Sequence, residues 1–185
     1  PSINKTYNIV VTGIGGTGVV TIGALLGMAS HIEGKGAGVM EMAGLAQKGG
    51  AVHIHCRIAE SPEDISVVRV ASGEAHTLIG GDLLVSAGEK TLALLKRGQS
   101  KVVCNEMEAI TGDFTRDTEF TLPSDGMKLA INAKVGPDSV QYINANRIAS
   151  KYLGDTIFSN TVLLGMAYQS KLLPLRRESL LEAIK

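Results

Sequence analysis

An apolar run, Ile9-Val10-Val11, meets the glycine turn Gly13-Ile14-Gly15-Gly16-Thr17-Gly18 and passes directly into a segment with apolar residues at helical spacing, Val19, Ile22, Leu26 and Ala29. That order predicts a strand, a turn and a helix. A chain that reverses within so few residues must pass through positive φ, which glycine alone adopts without cost, and it leaves backbone N–H groups unshielded by Cβ atoms. The dipole of the following helix points at the same spot, so phosphate or another anion is the ligand such a turn suits. Gly13, Gly15, Gly16, Thr17 and Gly18 are therefore candidate cofactor-binding residues. A second reading is packing alone, in which the glycines only let helix and sheet approach. Gly23 and Gly27 fit that reading, since four-residue spacing makes one smooth helical stripe.

The rest of the chain alternates in the same manner. Gly34-Lys35-Gly36 is a loop, and Ala37 to Glu41 reads as a strand returning beside the first to complete a βαβ unit. From Ala51 to Ile58 the alternation is clean: Val52, Ile54, Cys56 and Ile58 on one face, Ala51, His53, His55 and Arg57 on the other. Ile65 to Val70 is expected as a hairpin partner after the Ser61-Pro62-Glu63-Asp64 turn. Glu74 to Ile79 reads as a short helix, Leu83 to Val85 as a buried strand, Glu89 to Arg97 as a helix and Val102 to Cys104 as a strand. Glu106 to Pro123 has little periodicity and reads as an irregular insertion with a short strand at Glu119 to Leu122. A helix over Asp125 to Ala133 and a strand over Val140 to Ile143 follow. Asn144 and Gly154 bracket a helix, Asn160 is placed to cap another running to Leu172, and a last helix covers Arg177 to Ile184. The fold class expected is α/β: a three-layer α/β/α, Rossmann-like domain on a mostly parallel, mixed sheet.

Composition narrows the function. At 185 residues the chain, 1–185, reads as one domain, and its start at Pro1 and end within a helical pattern leave two readings open, a separate subunit or a piece of a longer fused chain. Eighteen basic residues balance eighteen acidic ones and aromatics are 4%, which argues against nucleic acid as a partner. The apolar runs are short and no leader-like segment is present, so neither membrane insertion nor export is expected and a cytoplasmic location is. Two cysteines, Cys56 and Cys104, are too few to build an all-cysteine iron–sulfur cluster and are expected to be reduced and buried.

Two further features bear on ligands. Glu41, about 20 residues beyond the glycine turn, stands where a dinucleotide-binding fold keeps an acid for a ribose hydroxyl, which raises a stand-alone NAD-binding oxidoreductase as one reading. Gln47, Lys48, Gly49 and Gly50 form a second glycine loop, whose lysine adds charge to a phosphate held by backbone amides. His53, His55 and Arg57 then continue as a basic groove, or as an ordinary solvated strand face. No spacing suggests a metal site, a P-loop or a hydrolase elbow, and no side chains stand out as catalytic.

Four motifs in order, Gly13-Ile-Gly-Gly-Thr-Gly, Gly44-Leu-Ala-Gln-Lys-Gly-Gly, the strand to Arg57 and Ser159-Asn-Thr-Val-Leu-Leu-Gly165, resemble the gamma domain of 2-oxoacid:ferredoxin oxidoreductases, of the indolepyruvate type within the pyruvate/ketoisovalerate oxidoreductase family. The resemblance spans about Asn8 to Ile184. It implies oxidative decarboxylation of a 2-oxoacid, such as an arylpyruvate, to an acyl-coenzyme A. Thiamine diphosphate and iron–sulfur clusters are then expected in partner domains or subunits, and ferredoxin as the acceptor for the complex. The chain lacks the thiamine signature, so it is expected to be a non-redox part that is inactive alone. Its own share would be a coenzyme A or phosphate site built from the two glycine loops, or an assembly surface. Lys48 stands where many members carry Arg, and Ile54 where relatives carry Ser. A partner covering the Lys48 loop is expected to cover His53, His55 and Arg57 too, and self-association into a homo-oligomer is compatible with the reading. A purely structural assembly module remains the third alternative.

Overall fold

The computed structural model describes residues 1–43, 50–107 and 124–185. Six strands form one sheet: β1 (Tyr7–Ile14), β2 (Gly36–Ala43), β3 (Ala51–Ala59), β4 (Thr77–Gly80), β5 (Lys101–Asn105) and β6 (Val140–Ile143), in the order β2-β3-β1-β4-β5-β6. β1, β4, β5 and β6 run parallel, and β3 is antiparallel to both β1 and β2. The sheet is mixed and mostly parallel, as its alternating pattern predicts. The βαβ expectation needs one correction: β2 returns in the direction of β1 but not beside it, because β3 hairpins back and takes the place between them.

Helices cover both faces. α1 (Val19–Ile32), α6 (Ser159–Gln169) and α7 (Arg177–Ile184) lie on one, where Val19, Ile22, Leu26, Leu163, Ala167 and Leu180 pack with Ile9, Val11, Ile54, Cys56, Ile58, Ile79 and Val103. The other face carries α2 (Leu83–Ser86), α3 (Glu89–Leu94) and α4 (Ser124–Val135), whose Leu83, Leu94, Ile131 and Val135 pack on Val10, Leu78, Val102 and Cys104. α1 lies close on the sheet because Gly23 and Gly27 face Ile54 and Val39, and a Cβ at either would press on those side chains. The packing reading therefore holds for these two glycines. α5 (Ala145–Leu153) is capped as expected, with Asn144 Oδ1 accepting from Arg147 N at 2.9 Å and Gly154 left-handed at φ 82°.

Two expected elements exchange identity. Thr77–Gly80 is a strand rather than part of a helix, and Leu83–Ser86 is a helix rather than a strand. Every residue of β4 is buried, so a central parallel strand shows no alternation from which to read it. The Leu83-Leu84-Val85 run turns helical because Asp82 caps it, its Oδ1 accepting from Val85 N at 2.8 Å. α3 stops at Leu94, short of the expected Arg97. α4 and β6 fall close to where they are expected, whereas the strand expected at Glu119 to Leu122 lies outside the described residues.

Ile65 to Val70 is not a strand. Side chains of β3 take its backbone groups instead: His55 Nδ1 accepts from Val70 N at 2.9 Å, and Arg57 Nη1 donates to Val67 O at 3.0 Å. Arg57 also donates from Nε to Asn8 Oδ1 and from Nη2 to Thr6 Oγ1, while His53 Nε2 bonds Thr91 Oγ1 of α3. The polar face of β3 is thus not a free strand face, and its cations and imidazoles are engaged within the chain, although Arg57 still lines an open cleft with Asn8, Asp64 and Glu74. That face anchors the chain's own 65–70 segment and α3.

Candidate functional site

At the carboxyl end of β1 the glycines divide into two kinds. Gly13 is buried, and a Cβ there would collide with Val19 Cγ2, so it serves helix–strand packing. Gly16 and Gly18 have φ of 86° and 80°, the left-handed region that an L side chain enters only with strain. Both are exposed, as is Thr17 between them, and open space lies where a Cβ of Gly16 would stand. Thr17 holds the turn closed, its N and Oγ1 both donating to Ile14 O, at 3.2 and 2.5 Å. Gly18 precedes the 14-residue α1 with no side-chain cap and no acidic residue in the first turn, so nothing anionic in the helix competes for its dipole.

The two glycine loops meet through their backbones: Gly15 N donates to Gly50 O at 2.9 Å. Gly50 is the described end of the second loop, and Gln47, Lys48 and Gly49 lie outside the described residues. Across from the turn stand the 3-10 turn Thr156–Phe158 and the start of α6. Asn160 Nδ2 donates to Thr17 O at 2.5 Å, fastening that wall to the turn. Between them is a cleft of about 590 Å³ lined by Gly16, Thr17, Gly18, Asn146 and the 155–161 stretch. No cation lines it among the described residues, so an anion there rests on amides and the helix dipole. Its one acid, Asp155, has Oδ1 taken by Ile157 N at 2.9 Å.

Asn160 is the residue that sequence reasoning misplaced. It looks like a helix cap, yet α6 begins at Ser159 and the side chain is spent on Thr17. The signal was its position in the ordered Ser159-Asn-Thr motif, which nothing local ties to the first turn 143 residues earlier. The neighbouring strand ends complete the support. Gly81 N donates to Thr12 O at 2.7 Å, and Asn105 Nδ2 donates to Gly81 O and to Asn146 Oδ1, joining β4, β5 and α5 behind the cleft. Glu41 takes no part. It pairs with Ile54, which pairs with Val11, so it sits two residues short of Gly13 along the sheet and, with β3 between, about 10 Å to the side. An acid so placed does not reach a ribose bound at the glycine turn, and the NAD reading loses the residue on which it rested.

The chain's thiols do not fit an iron–sulfur cluster. Cys56 and Cys104 belong to the cores on opposite faces of the sheet, fully buried, and burial pushes both thiols up to about 12, far from the thiolate a cluster needs. Among the described residues no three or more His, Cys, Asp or Glu side chains gather as a metal site, and no helix is long and apolar enough to cross a membrane.

Comparison with known proteins adds three findings. The sequence pattern of the family described as pyruvate ferredoxin/flavodoxin oxidoreductase matches residues 8–185. The indolepyruvate oxidoreductase subunit IorB of Methanothermobacter thermautotrophicus is 30% identical over 180 residues, covering 97% of this chain and 86% of that one. Two solved structures share the fold. One is the gamma subunit of a keto/oxoacid ferredoxin oxidoreductase from Geobacter sulfurreducens, at TM-score 0.61 and 21% identity over 97% of this chain and 83% of that one. The other is the 2-oxoglutarate:ferredoxin oxidoreductase of Magnetococcus marinus, solved with 2-oxoglutarate, coenzyme A and succinyl-CoA, at TM-score 0.65 and 17% identity. It is matched over 98% of this chain but only 27% of that longer one.

Proposed function

Because the chain belongs to the pyruvate ferredoxin/flavodoxin oxidoreductase family, we propose that it is the gamma part, a single module over 1–185, of a cytoplasmic 2-oxoacid:ferredoxin oxidoreductase that oxidatively decarboxylates indolepyruvate or a related arylpyruvate to its acyl-coenzyme A. The similarity to an indolepyruvate oxidoreductase subunit supports the substrate class. Thiamine diphosphate held by a partner part would supply the decarboxylation chemistry, and iron–sulfur clusters in partner parts would supply the electron route to ferredoxin. No step of that chemistry is assigned to this chain, whose two thiols are buried and protonated.

What this chain's residues do is bind and position. The observation that carries the reading is the cleft in which exposed, positive-φ Gly16 and Gly18 open α1 toward a wall fastened by Asn160. Its amides suit a phosphate group of coenzyme A, and Lys48, two residues before the Gly50 whose carbonyl accepts from Gly15 N, supplies a cation to the same ligand. The cleft thereby keeps the acyl acceptor at the edge of the module, where partner parts deliver the acyl group.

Calorimetry and thermal melting with coenzyme A test this. At a hundredfold excess over Kd the ligand stabilises the chain by about 2.7 kcal/mol. Gly16→Ala, which strains the positive-φ turn that aims the amides and puts a methyl into the open cleft, abolishes most of that protection relative to its own unliganded baseline, and Lys48→Ala lowers it less because amides and dipole remain. Unchanged affinity in both variants would remove the site from this cleft.

A further inference from the structure

Eight consecutive residues, Lys151 to Phe158, are exposed, and they carry large apolar side chains on a knuckle formed by the end of α5 and the 3-10 turn. Tyr152 is 71% and Ile157 74% exposed, and Leu153, Phe158 and Ile148, one turn before Tyr152, are exposed with them. Single exposed apolar residues need no explanation, but five on one short stretch do. Among the described residues the fold leaves them uncovered: α5 buries only Ala145 and Ala149, and β6, which precedes it, is no more than partly buried. Two features identify what covers the knuckle. Arg147 and Lys151 flank the apolar residues on α5, Lys151 Nζ lying 5.2 Å from the Tyr152 ring, and neither cation joins an ion pair among the described residues. The acid on the same knuckle, Asp155, has Oδ1 engaged by Ile157 N. A second copy packed about a twofold axis would bring the same two cations into one patch twice over, which disfavours self-association. The knuckle is also continuous with the cleft, because Ile157 and Phe158 line both.

We propose that this knuckle, rather than the polar face of β3, is the docking surface for the thiamine-binding partner subunit or domain, which presents an apolar centre rimmed by carboxylates and closes the cleft as it docks. The inference rests on the reading of the chain as a subunit given above. Docking then couples two events: the partner buries Tyr152 and Ile157, and the open side of the Gly16–Gly18 cleft comes to lie against the part that carries the acyl group.

The experiment is sedimentation and biolayer interferometry of this chain with the thiamine-binding part of the same enzyme. Ile157→Asp and Tyr152→Asp each weaken assembly by about thirtyfold or more, as for an apolar anchor at an interface centre, while the free variants melt like wild type because both side chains are exposed. Lys151→Glu slows association about tenfold at low ionic strength, a difference that high salt removes. Val67→Asp, exposed on the segment over β3, leaves affinity unchanged. Wild-type affinity in both apolar variants overturns the surface while leaving the proposed function standing. A wild-type chain that binds no such partner overturns both. Self-association of the wild type that Ile157→Asp abolishes makes a second copy the occupant and overturns the choice of partner.

Discussion

His55 sits inside the domain at 3% exposure with its Nδ1 accepting from Val70 N, an arrangement available only to the neutral ring. Burial, aided by His53 and Arg69 nearby, lowers its pKa from 6.5 to about 4. Between these values the unfolded chain binds a proton that the folded chain refuses, so stability is full above pH 6.5 and falls as pH drops toward 4. A difference of 2.5 pH units at 1.36 kcal/mol each makes the His55 share about 3 kcal/mol. His53 and His76, both lowered chiefly by burial, act in the same direction, and Asp82, raised by burial, acts in the opposite one. The perturbation that isolates His55 is His55→Asn, which keeps an acceptor near Val70 N but does not titrate. Urea unfolding at pH 7.5 and pH 4 gives the stability change for each protein. The wild type loses about 3 kcal/mol more than the variant over that interval, and hydrogen exchange in 65–70 rises first as the anchor is protonated. Equal pH dependence of the two proteins would show that His55 is not the group whose protonation destabilises the fold.

Two other substitutions read the same architecture. Arg57→Glu puts a carboxylate against Asn8 Oδ1, Thr6 Oγ1 and Val67 O, so it lowers stability by about 2 kcal/mol or more in denaturant titrations. Partner affinity in the molecules that remain folded is unchanged. Asn160→Ala releases Thr17 O and costs about 1 kcal/mol, and faster amide exchange at 16–18 against an unchanged sheet core is its signature in hydrogen-exchange measurements.

Much of the layer structure was legible: β1 as an apolar run leading into a glycine turn, and α1, β3 and α5 by an unbroken period or a cap, each lying where that pattern puts it. Legibility failed where a buried strand lacks a flanking turn signal or where partners are remote. β4 is buried on both faces and shows no alternation, while α2 hides in an apolar triplet whose helicity depends on the single carboxylate of Asp82. The place of β3 between β1 and β2 is a matter of pairing across the sheet, which neither strand's own pattern records. The same limit applies to the site. Positive φ at Gly16 and Gly18 follows from the tight turn, whereas the function of His55, Arg57 and Asn160 depends on neighbours 10 to 143 residues away. Side chains that look like a ligand surface on an isolated strand prove to be the fold's own fasteners.

The role proposed for this chain in a 2-oxoacid oxidoreductase is binding and assembly, not electron transfer. The most direct test is turnover with indolepyruvate, coenzyme A and a viologen acceptor, measured for the purified chain alone and after mixing with its thiamine-binding and iron–sulfur partner parts. The expected result is no visible absorbance and no turnover in the chain alone, with viologen reduction on mixing. Reduction by the isolated chain would contradict it.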